Sequence, residues 1–190
     1  MKAGVSEQDG ISGFLKCVIS QGANRVTGYI GEGSSKSFSA TWTSPFESDA
    51  AGKTSGIETA ANVGQTMTGL TSVGKLNSQM VWEGTTPPAI NLTLYFQAYS
   101  NPKREVHDAI MLLEQFASPE LLAYAGGRTP QVVTIDIGRR IKIPAALITE
   151  VTSELDQPRD SNGYMTRNTV QLTITPPTMI NASEIPDLYV

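Results

Sequence analysis

Residues 89–117 read AINLTLYFQAYSNPKREVHDAIMLLEQFA, and this stretch decides the fold. In its first ten residues, 89–98, apolar residues alternate with polar ones, which predicts a strand with one buried face. The alternating apolar residues are Ile90, Leu92, Leu94, Phe96 and Ala98. We therefore expect this segment to lie in a sheet that has one side against the core.

A helix is predicted directly after this strand. Asn101 and Pro102 suit its start, because an Asn side chain can accept an amide hydrogen bond and proline fits the first helical position. Apolar residues then recur at the three-to-four spacing of an amphipathic helix. They are Val106, Ala109, Ile110, Leu113, Phe116 and Ala117. The other face is predicted to be exposed, and it carries Lys103, Glu105, His107, Asp108 and Glu114.

More strands are predicted on both sides of this stretch. Residues 12–31 contain two β-favouring runs around the Gly-containing segment 21–24, which indicates a hairpin. Three alternating segments follow the helix, at 131–137, 145–155 and 169–175. Turn-forming residues fill 156–163, so the last two strands should pair as an antiparallel hairpin. In the middle strand the residues expected to share the core face are Leu147, Val151 and Leu155.

Length and composition favour one mainly β domain. A chain of 190 residues buries a substantial core without dividing, so we predict a single domain over 1–190. The apolar content of 39% is below the globular average, which favours an all-β or α+β fold over a helical bundle. Residues 31–79 are rich in Gly, Ser and Thr and are predicted to form a long extended loop or arm. Such an arm is flexible in a monomer and orders against a neighbour in an assembly.

The charge balance argues against a nucleic-acid-binding protein. The net charge is −4, whereas proteins that grip phosphates gather Lys and Arg into a basic surface. The first residues lack the apolar segment of a secretory signal, and no run approaches the roughly 20 apolar residues that span a bilayer. We expect a soluble protein made in the cytoplasm.

The low numbers of cysteine and histidine disfavour most catalytic chemistry. Cys17 is the single cysteine and His107 the single histidine, which excludes intramolecular disulfides and the usual Cys/His zinc sites. Cys17 lies in a β-favouring run and is expected to be a buried apolar side chain. Nucleophilic catalysis could draw only on His107, which is predicted to lie on the exposed helix face.

The remaining motifs are weak. Residues 47–54, ESDAAGKT, end like a phosphate-binding loop, but Glu47 stands where that loop needs its first glycine. The carboxylate pairs Glu150 with Glu154 and Asp156 with Asp160 have no surrounding pocket that the sequence reveals. We therefore predict a protein that is not an enzyme, with no catalytic, cofactor-binding or metal-binding residues.

The order of elements resembles a known family. The segments that show the resemblance are MVWEGTTPPAINLTLYFQAYSNPKREVHDAIMLLEQFASP (80–119), IKIPAALITEV (141–151), DSNGY (160–164) and VQLTI (170–174). Together they resemble the tube fold of contractile phage tails, which tail tube proteins share with baseplate tube initiators. The haemolysin-coregulated protein of type VI secretion has the same fold. The resemblance covers roughly the last 110 residues and lies in the order of strand, proline-started helix, Ser-Pro and three strands.

The resemblance implies a fold and a role. The fold would be a β-barrel or sandwich with one amphipathic helix packed on it, and six subunits would join into a ring around a lumen. The partners implied are further copies of the chain and adjacent tube, hub or baseplate proteins. Genomic DNA would only pass through the lumen, which an acidic balance suits, and no membrane insertion is implied. The location implied is the virion tail, after assembly in the host cytoplasm.

Several roles remain open within and beyond this family. We prefer a baseplate-proximal tube initiator or hub adaptor, because of segment 80–119 and because the arm at 31–79 would suit a subunit between unlike neighbours. The alternatives are the main tail tube protein, a type VI-like secreted tube and a non-enzymatic β-module that binds carbohydrate or peptide. Such a module would use exposed aromatic residues, namely Trp42, Trp82, Tyr95 and Tyr99.

Overall fold

A computed structural model describes residues 1–43, 80–121 and 128–189. These described residues are mainly β, with a single sheet of eight strands and one helix of 15 residues. The strands are β1 (Lys2–Gly4), β2 (Lys16–Gln21), β3 (Asn24–Ile30), β4 (Ser35–Thr43), β5 (Val81–Gln97), β6 (Val133–Ile137), β7 (Ile141–Ser153) and β8 (Arg167–Thr175). The helix opens with a π-helical turn, Lys103–His107, and continues as α1, Asp108–Ala117. The predicted mainly β fold is confirmed, and the described residues contain the predicted helix after β5.

The strands follow the order β1-β3-β2-β6-β7-β8-β5-β4. β1 runs parallel to β3, and the pairs from β3–β2 through β8–β5 are antiparallel. One further antiparallel pairing joins β3 to β5, through Tyr29 opposite Tyr95 and Ile30 opposite Leu94. The last residues of β3 therefore meet a strand that lies near the other end of the order.

The core is built on the alternation of β5. Its predicted apolar residues Ile90, Leu92, Leu94 and Phe96 are buried. β8 lies beside it in continuous register, so that Leu92 faces Leu172. Burying each of these side chains contributes about 1.5 to 3 kcal/mol. The Phe96 ring also explains Gly28 on β3, because a Cβ there would lie 3.1 Å from the ring.

The helix buries the face that its spacing predicts. Its buried apolar residues are Val106, Ala109, Leu112, Leu113 and Phe116, and Leu112 is the one that the prediction missed. The predicted cap is present, since the Asn101 side-chain oxygen accepts a hydrogen bond from the Arg104 amide at 3.2 Å.

Two residues of the predicted exposed helix face are buried instead. Glu105 is 5% exposed and Asp108 is 9% exposed. The Glu105 side chain folds back over the start of the helix and accepts hydrogen bonds from backbone amides there. Nothing in the described residues explains the burial of Asp108.

The predicted core face of β7 is wrong, because the strand contains two bulges and ends at Ser153, before Leu155. The buried residues are Ile143, Ala146 and Ile148, whereas Leu155 is 77% exposed. One extra residue lies between the partners of Val133 and Ile135, and another between those of Ile174 and Thr173. Each extra residue moves the following side chains to the opposite face of the sheet. Of the predicted set, Val151 packs partly buried against the core.

The predicted hairpins are confirmed. β2 and β3 pair in antiparallel register around a tight turn, in which Gly22 adopts a φ of 56°. β7 and β8 form the second antiparallel pair. In the segment between them, the Asp160 side chain accepts hydrogen bonds from the amides of Asn162 and Tyr164, which fixes the turn.

Contacts divide the chain into two compact units. The first contains Met1–Phe38 and Pro87–Val190, and the second contains Ser39–Thr86. Within the predicted arm, residues 35–43 form β4, and residues 44–79 lie outside the described part. The prediction of one domain with an arm over 31–79 stays a prediction.

Candidate functional site

The end strand β4 is the first candidate interaction surface. It is nine residues long, it closes the sheet order next to β5, and most of its residues are exposed. In the described residues no strand follows it in the order, so its outer backbone N–H and C=O groups have no strand partner there. An exposed edge of this length is a template for pairing with another chain.

The first residues of β4, 35–38, form hydrogen bonds to other parts of the first unit. The Ser37 hydroxyl donates to the Ala89 carbonyl at 3.3 Å. The Lys36 ammonium donates to the Tyr189 hydroxyl at 2.9 Å and lies 4.5 Å from the centre of that ring. Tyr189 in turn forms an antiparallel bridge with Ile141 at the start of β7. The C-terminal segment thus connects the first residues of β4 to β7.

The described residues of the second unit expose two tryptophans. Trp42 is 54% exposed and Trp82 is 49% exposed. The Trp82 indole N–H donates to the Thr85 hydroxyl at 3.1 Å, and the Thr43 hydroxyl donates to the Glu83 carboxylate. Large half-exposed aromatic side chains are favoured at protein interfaces. This unit is therefore a second candidate contact surface.

The outer face of β5 and β8 is polar and mostly uncharged. Register pairs place Asn91 beside Thr173, Thr93 beside Gln171, Tyr95 beside Thr169 and Gln97 beside Arg167. A cavity of about 420 Å³ opens on this face, where residues such as Gln171 and Thr93 meet Glu32 of the β3–β4 connection. Among the predicted aromatic residues, Tyr95 is partly buried on this face, while Tyr99 in the following loop is 72% exposed.

A buried ion pair holds the segment between β1 and β2. The Lys16 ammonium lies 2.7 Å from the Asp9 carboxylate and also donates to the Ser6 carbonyl at 3.0 Å. The Tyr29 hydroxyl donates to the other Asp9 oxygen. Burial raises the pKa of Asp9, but hydrogen bonds from Lys16, Tyr29 and the Ile11 amide outweigh it and hold that pKa below its ordinary value. Burial and the Asp9 charge raise the pKa of Tyr29.

A second buried carboxylate organises the start of the helix. One Glu105 oxygen accepts hydrogen bonds from the amides of Tyr99, Ser100 and Asn101, at 2.6, 2.9 and 3.1 Å. The other oxygen accepts from the Ser100 hydroxyl at 3.1 Å. Burial raises the pKa of Glu105, and these hydrogen bonds lower it by more, so the net shift is downward. The buried carboxylates of Asp9 and Glu105 are therefore both held by hydrogen bonds that stabilise the fold.

The residues that the sequence singled out for chemistry do not come together. Cys17 is fully buried, and burial raises the pKa of its thiol, as expected of a structural side chain. His107 is exposed and meets Tyr164 edge-on, with 5.4 Å between ring centres. Residues 47–54 lie outside the described part.

The two carboxylate pairs that the sequence analysis considered and set aside lie at exposed or turn positions. Glu150 and Glu154 are exposed, and Glu154 accepts a hydrogen bond from Gln157. Asp156 is exposed, whereas Asp160 is engaged by the turn amides. Within residues 1–43, 80–121 and 128–189, no three His, Cys, Asp or Glu side chains cluster closely enough to hold a metal ion.

The sequence reasoning missed β4 as a strand. The alternation of Phe38, Ala40 and Trp42 with Ser and Thr was the available signal. The buried pair of Asp9 and Lys16 was also missed, and here the sequence held no local signal, because Asp9 lies in a loop.

Comparisons with known proteins leave the chain without a family assignment. No protein-family model matches it, and a search of curated proteins finds no match. Across the described residues, the one helix is too short and too polar to cross a bilayer.

Proposed function

We propose that the chain is a structural subunit of a contractile phage tail, forming a hexameric ring of the central tube at or near the baseplate. The observation that carries the proposal is the outer edge of β4, nine residues long at the end of the sheet order, which no strand of residues 1–43, 80–121 and 128–189 pairs with. A monomer would expose this edge at a risk of aggregation, whereas a closed ring pairs or covers it in every copy.

The strand pairings agree with a tube-like barrel. The antiparallel pairs from β3 through β5 form one series, and the extra β3–β5 pairing at Tyr29 and Ile30 connects its two ends. The helix buries its apolar face in the same core as β5 and β8. The resemblance implies a barrel with one amphipathic helix packed on it, and these pairings and contacts support that fold.

The polar face of β5 and β8 suits a surface that lines a water-filled lumen. Its paired residues are mostly Thr, Gln and Asn, and the neighbouring strand β7 adds exposed Glu150, with Glu154 just beyond its end. Such a surface can face water without a protein partner, and it offers little positive charge to the phosphate backbone of DNA. DNA would pass along it without binding.

The second unit favours a ring initiator over the main tube protein. In Ser39–Thr86 the side chain of Trp82 on β5 is half-exposed, which gives each subunit a contact surface in addition to the β4 edge that carries Trp42. A subunit between unlike neighbours needs two different surfaces. We expect the purified chain to form single or short rings, and long stacked tubes would favour the main tube role instead.

Substitution in the exposed edge tests the proposal. Ala40 lies in β4 and is exposed, so Ala40→Lys would place a charge on the edge without disturbing the core, and Ala40→Ser is its matched control. Negative-stain electron microscopy should show rings for the wild type and Ala40→Ser, and separate subunits for Ala40→Lys with an unchanged circular dichroism spectrum. Rings of Ala40→Lys would show that β4 is not the interface.

A further inference from the structure

A cavity of about 460 Å³ lies where the N-terminal strand meets β3 and the start of the helix. Its volume is in the range of pockets that hold small molecules. The polar residues around it are Ser6, Thr27, Ser100 and Asn101. Three cationic side chains also line it, namely Lys2, Arg25 and Arg104.

Strand register brings two of these cations together. Lys2 on β1 is the direct partner of Arg25 on β3, so the two side chains leave the same face of the sheet. Like charges opposite one another on neighbouring strands destabilise a sheet. The third cation is fixed beside them, because Arg104 Nε donates to the Lys2 carbonyl at 3.2 Å and leaves its outer nitrogens for other partners.

The three cations have no direct ion-pair partner within the described part of the chain. Arg25 Nε is buried there without a hydrogen-bond partner, and a buried donor left unpaired in this way is destabilising. The described ion pair joins Lys16 to Asp9, and no described carboxylate lies within ion-pair distance of Lys2, Arg25 or Arg104.

Two acidic residues also line the cavity, so its lining holds three cationic and two anionic side chains, but neither carboxylate forms an ion pair with the cations in the described residues. Glu105 is committed to three backbone amides and the Ser100 hydroxyl. These bonds also occupy the amides of the loop just before the helix. Glu7 is exposed and forms no ion pair with the three cations in the residues described.

We propose that this cavity binds the phosphate group of a small molecule. Two guanidinium groups and an ammonium supply several N–H donors for the oxygens of a tetrahedral anion, and guanidinium forks bind phosphate oxygens in pairs. The hydroxyl and amide groups around the cavity supply further polar contacts. The volume leaves room for an organic group attached to the phosphate, and the site does not depend on ring formation.

Titration with inorganic phosphate and with glycerol 3-phosphate tests the site and distinguishes the free phosphate ion from an organic phosphate as its ligand. Inorganic phosphate and glycerol 3-phosphate are added at constant ionic strength, with acetate as the carboxylate comparison. The Arg25 Nε–H resonance is followed by NMR, and calorimetry gives the affinities. We expect saturable shifts of this resonance with both phosphates, and none with acetate at the same concentrations. Tighter binding of glycerol 3-phosphate indicates an organic phosphate, and equal binding indicates the free ion.

Exposed Arg104 gives the variant that is safest for folding. Arg104→Gln should weaken phosphate binding at least tenfold, whereas Arg140→Gln, an exposed arginine outside the cavity lining, should leave it unchanged. Unsaturable shifts in the wild type, or equal affinities for the two variants, would overturn the proposal.

Discussion

The carboxylate of Asp9 and the ammonium of Lys16 form an ion pair at 2.7 Å, with side chains that are 4% and 8% exposed. The pair joins the loop after β1 to the first residue of β2, and Tyr29 on β3 donates to the same carboxylate. Since the partners lie on three segments, the ion pair fixes how the N-terminal segment packs on the sheet.

Removing the Asp9 charge should destabilise the fold. Asp9→Asn leaves the Lys16 ammonium nearly buried without a counter-charge, and we expect a loss of about 2 kcal/mol in the free energy of unfolding at pH 7. Asp156→Asn, at an exposed position, should change it by less than about 0.5 kcal/mol. Urea unfolding measures both.

The same variant predicts a pH dependence. The folded-state pKa of Asp9 lies below its ordinary value of 3.8, so its contribution to stability is complete above that pH. The contribution is lost as the pH falls through the folded-state pKa. The stability difference between wild type and Asp9→Asn should therefore shrink in urea unfolding below about pH 4. A difference that stays constant into strong acid would contradict the assigned role.

Glu105 should stabilise the helix start through its hydrogen bonds to the backbone. Glu105→Ala removes the acceptor of three amides and one hydroxyl, and should cost about 2 kcal/mol. Glu105→Gln keeps an acceptor oxygen and should cost less. Glu114→Ala, on the exposed face of the same helix, is the control. Equal unfolding midpoints for Glu105→Ala and Glu114→Ala would show that the cap is unimportant.

Gly4 should tolerate no side chain. Its φ is +101°, and a Cβ there would lie 2.0 Å from the Thr27 carbonyl oxygen, which accepts the Val5 amide at 2.9 Å. Gly4→Ala should therefore separate β1 from β3 and speed hydrogen exchange of the Val5 amide. Gly10 has a φ of +74°, but a Cβ there would meet no atom within 4 Å, so Gly10→Ala should show only backbone strain of about 1 kcal/mol. Similar exchange rates in both variants would argue against the close approach at Gly4.

Cys17 should be unreactive in the folded protein. The residue is fully buried, and burial raises the pKa of its thiol, so little reactive thiolate is accessible at neutral pH. A thiol reagent should label it at the rate of unfolding, and fully in urea. Rapid labelling under native conditions would mean that β2 opens locally.

Local patterns predicted the parts of the fold that depend on local spacing. The strand containing Ile90 and Phe96 and the helix containing Val106 and Phe116 were placed correctly because period two and period 3.6 each repeat several times there. Glu105 was misplaced because spacing gives the side of a helix but not whether a flexible side chain folds back. The face of β7 was misplaced because bulges add residues that no local signal marks.

Contacts between distant segments could not be predicted. Arg104 meets the carbonyl of Lys2 across 102 residues of sequence, and the cavity beside them exists only because β1 pairs with β3. The composition showed an acidic chain with scattered cations, and strand order decides which of these cations meet. The β4 edge lay within reach of sequence analysis, since Phe38 and Trp42 alternate with polar residues.

The mass of the purified wild-type assembly tests the central claim most directly. Native mass spectrometry at neutral pH and low ionic strength measures it without labels or partners. A ring-forming subunit predicts a dominant species of six chain masses, which the Ala40→Lys variant converts to single chains. A wild-type protein that remains a single chain at every concentration up to its solubility limit would contradict the account.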